Sequence, residues 1–465
     1  MSPVIASGRK RPQHPAFIST WKTNNTSTGS SNANQITLPL YQDGIYDFKV
    51  DWGDGTSSHI TSNTLEEATH DYAISGTYTL TIKGTLVGFR FNNVGDCLKL
   101  LEVHQWGCLR IGNYGFNFMG CSNLILNQVA DVINIKGVDN LQYMFCYCTS
   151  LNVINRINEW DMSNVTTIRG LFFQVSQFNQ PLNNWDTSNI TDMSNLFYQA
   201  TSFNQPLNNW NIGKVTTLES TFYTASAFNQ PLNNWDTSNV TSMLQTFGRA
   251  TSFNQPLNNW NTSKVTDMRN MFRLASGLNG RFNQDISSWD TGKVTTMFYM
   301  FAYNTIFNQP LDTWDVSSVF ELSSMFRQCK SFNQQLNTWI TSKTTDMDLM
   351  FLEAQNFNQP LSNWNTENVT TMEFMFQSAP AFNQDISNWN IQKVSGFTNF
   401  MALKTFANYS TANYDALLNS WSTQNVITGR TIHFGTIKYT SATQNARNIL
   451  INSKGWTIYD GGMVV

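Results

Sequence analysis

Side chains able to do covalent or metal chemistry are few in this chain, and they do not converge. The six cysteines are Cys97, Cys108, Cys121, Cys146, Cys148 and Cys329. A zinc site takes its thiolates from close pairs with a second pair or histidines nearby. Here there is no Cys-x-x-Cys, and Cys146-x-Cys148 lacks both a second half and a neighbouring histidine, so buried free thiols are expected. The five histidines, His14, His59, His70, His104 and His433, have no serine or cysteine at a spacing used in nucleophilic catalysis. Asp51 and Asp54 make one isolated Asp-x-x-Asp, which reads as a turn before a calcium loop because further carboxylates are missing. No glycine-rich phosphate loop occurs. The expectation is no catalytic residue, no metal ligand and no cofactor, with the ligand-binding residues unassigned.

Composition narrows the class further. The 465 residues carry 28 Lys+Arg against 31 Asp+Glu, a net charge of -3, which argues against nucleic-acid binding through a basic surface. Only 13% of residues are charged while 14% are aromatic, so a large core is available and amides and hydroxyls must do the solubilising. No stretch reaches the roughly 20 apolar residues of a membrane helix. Residues 1–14 carry Arg9, Lys10 and Arg11 without an apolar run behind them, which is not a secretory signal. Export by another route, carriage inside a particle, or prior removal of a signal are the alternatives.

What must position any site is a repeat. Phe-Asn-Gln recurs with its Phe at 178, 203, 228, 253, 282, 307, 332, 357 and 382, at intervals of 25 residues and once 29. The long interval holds an insertion, Gly277-Leu278-Asn279-Gly280. A Trp follows each Phe by seven positions, from Trp185 to Trp389, and Trp160 opens the series.

Within one repeat, Phe178 to Trp185 reads as an extended segment in which Pro181 is tolerated. Asp186-Thr-Ser-Asn189 reads as a turn. Met193, Leu196, Phe197 and Ala200 follow at i, i+3, i+4, i+7, the spacing of a short helix with Thr191 or Asp192 as N-cap. A strand and a helix every 25 residues cannot bury an apolar side alone; stacked neighbours do so, with strands paired in parallel at about 4.8 Å per repeat. The Trp row then reads as core steps instead of a sugar- or base-stacking platform, because every repeat keeps it. Amide pairs of the Asn183-Asn184 type either bond one another along the stack or form an outward row for glycans. The sequons at Asn164, Asn189, Asn239 and Asn368 recur with the repeat, and so say little about glycosylation. Asp285 and Asp385, which replace Pro in two repeats, lie four repeats apart, roughly 19 Å, too far for a glycosidase pair.

Phe203-Asn-Gln-Pro-Leu-Asn-Asn-Trp, with Thr237-Ser-Asn-Val-Thr-Ser-Met243, resembles the BspA-like leucine-rich-repeat family of surface proteins. Phe116-x4-Cys121-x2-Leu124 and Phe145-x2-Cys148-x2-Leu151 look like its divergent members. The resemblance covers roughly residues 97 to 400 and implies a leucine-rich-repeat-type solenoid, usually on surfaces and often tied to adhesion, with no catalytic residues. Near the N-terminus, Trp52-Gly-Asp-Gly-Thr56 and His70-x-Tyr72-x3-Gly76-x-Tyr78 are similar to the PKD-type immunoglobulin-like β-sandwich, flanked by Ile45, Phe48, Val50, Tyr78, Leu80 and Ile82 as strand residues. Near the C-terminus, Tyr414, Leu417, Leu418 and Trp421 share one helical face, and Ala442, Ala446, Ile449 and Leu450 another.

The expected fold is thus an α/β repeat solenoid, leucine-rich-repeat-like with 25-residue units of strand plus short helix, a small N-terminal β-sandwich and a C-terminal cap. Its parts are a basic tail (1–14), the PKD-like sandwich (15–90), divergent repeats (91–155), the regular solenoid (156–405) and the capping segment (406–465). The expected role is a non-enzymatic, surface-displayed binding or adhesion protein that presents a broad polar face to a glycan or protein partner on a cell surface. The alternative is a virion component, a capsid decoration or receptor-binding fibre of a phage or large virus. Other particle proteins and self-association join the expected partners; nucleic acid and membrane insertion do not. The expected location is extracellular or surface-exposed.

Overall fold

The protein's structure, a computed structural model, is described for residues 15–464 and divides into two compact units, Met1–Ile190 and Thr191–Val465. The basic stretch 1–14, with His14, lies outside the described residues.

In the N-terminal unit the strands are β1 (Phe17–Lys22), β2 (Gln35–Thr37), β3 (Leu40–Asp51), β4 (Ser57–Ile60), β5 (Thr69–Asp71), β6 (Thr77–Phe89), β7 (Leu100–Gln105) and β8 (Leu109–Arg110), with one short helix, α1 (Leu65–Ala68), between β4 and β5. One sheet runs β4-β3-β6-β1-β7, with β8 parallel to β6, and β2 pairs with β5 separately. Side chains alternate between the two faces with period two. Accordingly Tyr46, Phe48 and Val50 are buried on β3, while Ile45, one step out of phase, is 64% exposed. Ile45 is therefore not the core residue that its apolar character suggests. The register of β3 on β6 shifts between Leu40 and Ile45, which lets the two halves of the strand change phase. The sheet continues past residue 90, because β7 pairs with β1.

Divergent repeats stack in the same unit. Phe118 donates its N–H to the Met144 carbonyl and Phe145 to that of Leu171. The rings of Phe118, Phe145 and Phe172 follow one another at 5.8 and 6.3 Å, nearly parallel.

The C-terminal unit repeats this arrangement with greater regularity. Single parallel bridges link Asp192, Thr217, Ser242, Asp267, Thr296 and Glu321 in succession, and run on to Gly396. Pairing thus occurs just after the Val-Thr step, and not in the Phe-Asn-Gln segment where the extended reading places it.

The helix expected at Met193 to Ala200 is absent; a run of turns takes its place. Leu196, Tyr198 and Ala200 donate to carbonyls three residues back, on Met193, Asn195 and Phe197. The alternate donors Asn195, Phe197 and Gln199 reach the next repeat, at Glu219, Thr221 and Tyr223. A helix would use all these groups internally, so neighbouring repeats compete successfully for half of them. The turns require left-handed backbone at two places in most repeats, such as Asn195 (φ 58°) and Gln199 (φ 56°). Residues without special tolerance for that region, Leu349 and Phe374 among them, adopt it too because the bonds to both neighbours over-determine the chain. Since each turn is four residues long, Met193, Leu196, Phe197 and Ala200 still point inward and are fully buried.

Past the last repeats, α2 (Thr411–Ser422) starts at an N-cap where Ser410 accepts the Asn413 N–H. It buries Tyr414, Leu417, Leu418 and Trp421. β9 (Thr431–His433) and β10 (Thr457–Tyr459) pair in parallel around α3 (Gln444–Asn448). The ring stack ends here, with Phe400 turned edge-on to Phe376 at 84° and packed against Trp421.

Candidate functional site

Each chemically capable side chain is held by its own neighbourhood. All six cysteines are buried and free. Burial pushes the Cys146 thiol up to about 12 and those of Cys121 and Cys148 well above their ordinary value, so none is a ready nucleophile. His70 lies flat on Trp52, ring centroids 4.7 Å apart, and meets Asp54 at 2.8 Å. Burial alone would raise the Asp54 carboxyl; hydrogen bonds from Thr56 and His70 outweigh it and hold the acid down to about 2. Asp54 also accepts the Thr56 N–H and Asp51 the Gly53 N–H, so the pair closes the Asp51–Ser57 turn. His59 meets exposed Asp47, His104 meets Thr20, and His433 stacks on Tyr459. Asp285 and Asp385 accept the backbone N–H groups of Ser287 and Ser387, two residues on, and serve as turn caps. Among the described residues, no group of three or more His, Cys, Asp or Glu is arranged to hold a metal ion, and no helix is long and apolar enough to cross a membrane.

The recurring residues turn their chemistry onto the next repeat. Trp235 and Trp260 stack at 6.2 Å with planes 6° apart, and both are nearly fully buried. The Trp260 indole N–H donates to the Leu232 carbonyl at 3.0 Å, a bond repeated through the row. These rings offer no open face to a sugar. The Asn of Phe-Asn-Gln forms a second row: Asn229 Oδ1 accepts the Asn254 N–H at 2.9 Å and the Gln255 amide at 3.1 Å. The series ends when α2 approaches, and Asn383 accepts the Ser410 N–H and the Asn413 amide. Pairs of the Asn183-Asn184 type are on the surface, but also bond along the stack, as Asn184 N–H to Asn158 Oδ1. Sequon amides at Asn189, Asn239 and Asn368 donate to carbonyls of the preceding repeat, while that of Asn164 donates to the Ser163 hydroxyl.

One face remains unassigned by these roles. In the turn run the outward positions differ from repeat to repeat, although the inward ones hardly do. The position of Ser194, itself buried, becomes half-buried Glu219, Leu244, Arg269, Phe298 and Asp348 in later repeats; that of Tyr198 becomes half-buried Tyr223, Arg273, Arg327 and Gln377, and buried Gly248, Ala302 and Leu352. The carboxylates crowd toward one end. Burial, reinforced by Asp346 and Glu373 and opposed by the Thr371 hydroxyl, pushes Asp348 up to about 6. At the same end, Lys404 is 1% exposed and ringed by the carbonyls of Ala379, Pro380, Phe382 and Asn408, and burial brings it down to about 7.

The model of the family described as "Mycoplasma protein of unknown function, DUF285" matches residues 113–230, 207–281, 279–355 and 321–446. No curated protein and no solved structure matches the chain. The overlapping matches run from residue 113 to 446, more than half of the chain and all of its regular repeats, and the protein therefore belongs to the DUF285 family.

Proposed function

We propose that this chain is a non-enzymatic binding or adhesion protein displayed on a surface, whose repeats are turns of a leucine-rich-repeat-like solenoid of the BspA type. The single observation behind this reading is the contrast between rows: the Phe, Asn and Trp of each repeat recur, while turn positions that are half-buried in most repeats diverge in charge, size and aromaticity. A scaffold that keeps its stacking rows constant and varies its half-buried turn positions offers many chemistries on one rigid support. The sequence motif around Trp52 and His70, on the sheet turn, supports a PKD-like module carried beside the repeats. The test is a screen of the intact chain against protein and glycan arrays, repeated with substitutions at outward turn positions. Partner binding that these substitutions weaken is the expected result; an intact, folded chain that binds nothing sinks the reading.

A further inference from the structure

We propose that the outward turn face from Tyr198 to Arg327 docks a protein partner that presents carboxylates, an inference that rests on the binding role just proposed. Three arginines carry it. The Arg249 guanidinium lies 5.7 Å from the Tyr223 ring centroid, Arg273 4.7 Å from that of Tyr299, and Arg327 5.2 Å from that of Tyr303. Arg327 also donates to the Tyr299 hydroxyl at 3.0 Å. Each of the three has a buried Nε–H without an acceptor, and none has a carboxylate partner among the described residues. Their neighbour Arg269, by contrast, is tied to Asp267 at 2.6 Å. Gly248 belongs to the same design: a Cβ there would come within 2.8 Å of the Tyr223 ring, so glycine leaves room for that ring to cross the repeat.

A planar guanidinium held on a tyrosine face loses little freedom when a carboxylate arrives, and it presents a fork that fits one. Six successive repeats at about 4.8 Å each span roughly 25 Å, the scale of one side of a standard protein interface. Tyr and Arg are also the residues that dominate such interfaces.

The chemistry of the partner follows from what surrounds the arginines. The amides that would recognise a neutral glycan are committed along the stack, as Asn204 is to Asn229 and Gln230. Glu219 stands one repeat before Arg249 and Glu321 on the repeat of Arg327, and these two carboxylates repel a uniform polyanion such as nucleic acid or a sulfated glycan. A protein surface with a few placed carboxylates and apolar groups meets both constraints, since half-buried Leu244 and Phe298 lie on the same face.

The experiment selects a displayed library of random peptides on the intact chain, with heparin and dextran as anionic and neutral glycan arms. Enriched peptides should combine Asp or Glu with apolar residues and bind more weakly in high salt. They should lose at least about 30-fold in affinity to the triple variant R249Q/R273Q/R327Q. The triple Lys variant should recover only part of that loss, because the charge returns without the fork. Thermal melts check that both variants are folded; if the Gln variant is not, the Lys variant decides alone. Enrichment of neutral or basic peptides, affinity unchanged in a folded variant, or heparin binding tighter than any peptide through the same arginines overturns the inference. Neutral or basic peptides held by other outward positions would leave the binding role standing; silence in every arm removes both.

Discussion

The side-chain carbonyl of Asn229 receives the backbone N–H of Asn254, its counterpart one repeat later, at 2.9 Å. The same oxygen takes the Gln255 amide at 3.1 Å, so one acceptor serves two donors of the following repeat. Asn229→Ala leaves both donors without that partner. A loss of about 1–3 kcal/mol is expected. Urea titration measures it, and amide exchange at Asn254 should quicken more than at residues several repeats away.

Trp260 is held by stacking on both sides, 6.2 Å from Trp235 and 6.5 Å from Trp289, and by its indole N–H. Trp260→Ala should cost about 3–5 kcal/mol. Trp260→Phe keeps a ring but loses the indole hydrogen bond, leaving the Leu232 carbonyl with the Trp235 N–H alone, and should cost about 1–3 kcal/mol. Equal losses from the two changes would show that the stacked ring adds little beyond the hydrogen bond that both remove.

Lys404 gives a pH signature. Its native pKa of about 7 lies below the ordinary 10.5, so between these values the unfolded chain binds more protons. Stability should therefore rise as pH climbs from about 7 toward 10.5, by up to about 1.4 kcal/mol per pH unit from this group. The measurement is the difference between wild type and Lys404→Met in denaturant midpoints from pH 6 to 9: the wild type should gain relative to the variant with rising pH.

Asp348 has the opposite sign. Its native pKa of about 6 lies above the ordinary 3.8, so the folded chain binds more protons in that window, and stability falls as pH rises through it. Asp348→Asn keeps an acceptor for the Thr371 hydroxyl and the Glu373 N–H while removing the charge. The variant should be more stable than wild type above pH 6, by about 1 kcal/mol after allowance for screening, with the gain shrinking below pH 4.

Thr224 is a β-branched residue at φ 58°, and its hydroxyl is buried with no hydrogen-bond partner. Thr224→Gly should raise stability by about 1 kcal/mol, because glycine holds this conformation without steric cost. The opposite change at Gly170 (φ 58°), to Ala, puts a Cβ 2.2 Å from the Tyr143 ring and should destabilise. Thermal melts of the two variants should move in opposite directions.

How far the fold was legible differs row by row. The period of Phe-Asn-Gln and Trp announces that repeats meet one another, because only neighbour contacts force whole rows to recur. The spacing of Met193, Leu196, Phe197 and Ala200 misleads because four-residue turns and a helix of 3.6 residues per turn bury the same set over so short a span. What separates them is whether alternate N–H groups, such as that of Phe197, leave for the adjacent repeat, and no local pattern encodes that choice. Ile45 misleads for a simpler reason: it is out of phase with Phe48 and Val50. The Asn of Phe-Asn-Gln recurs visibly, but its role as acceptor for the next repeat is a matter of geometry. Arg273 and Arg327 meet the rings of Tyr299 and Tyr303 on adjacent repeats, a pairing that spacing within one repeat does not encode.

Because each repeat's turns are completed by donors and acceptors on the copy beside it, one copy is an interchangeable module. The four extra residues at Gly277–Gly280 leave the ladder from Asp267 to Thr296 unbroken. A gene encoding such modules can gain or lose whole copies by recombination between its own near-duplicate segments, with every internal bond re-formed at the new junction. Reach and the menu of exposed side chains would then evolve by duplication and deletion, at a pace that point mutation alone cannot match.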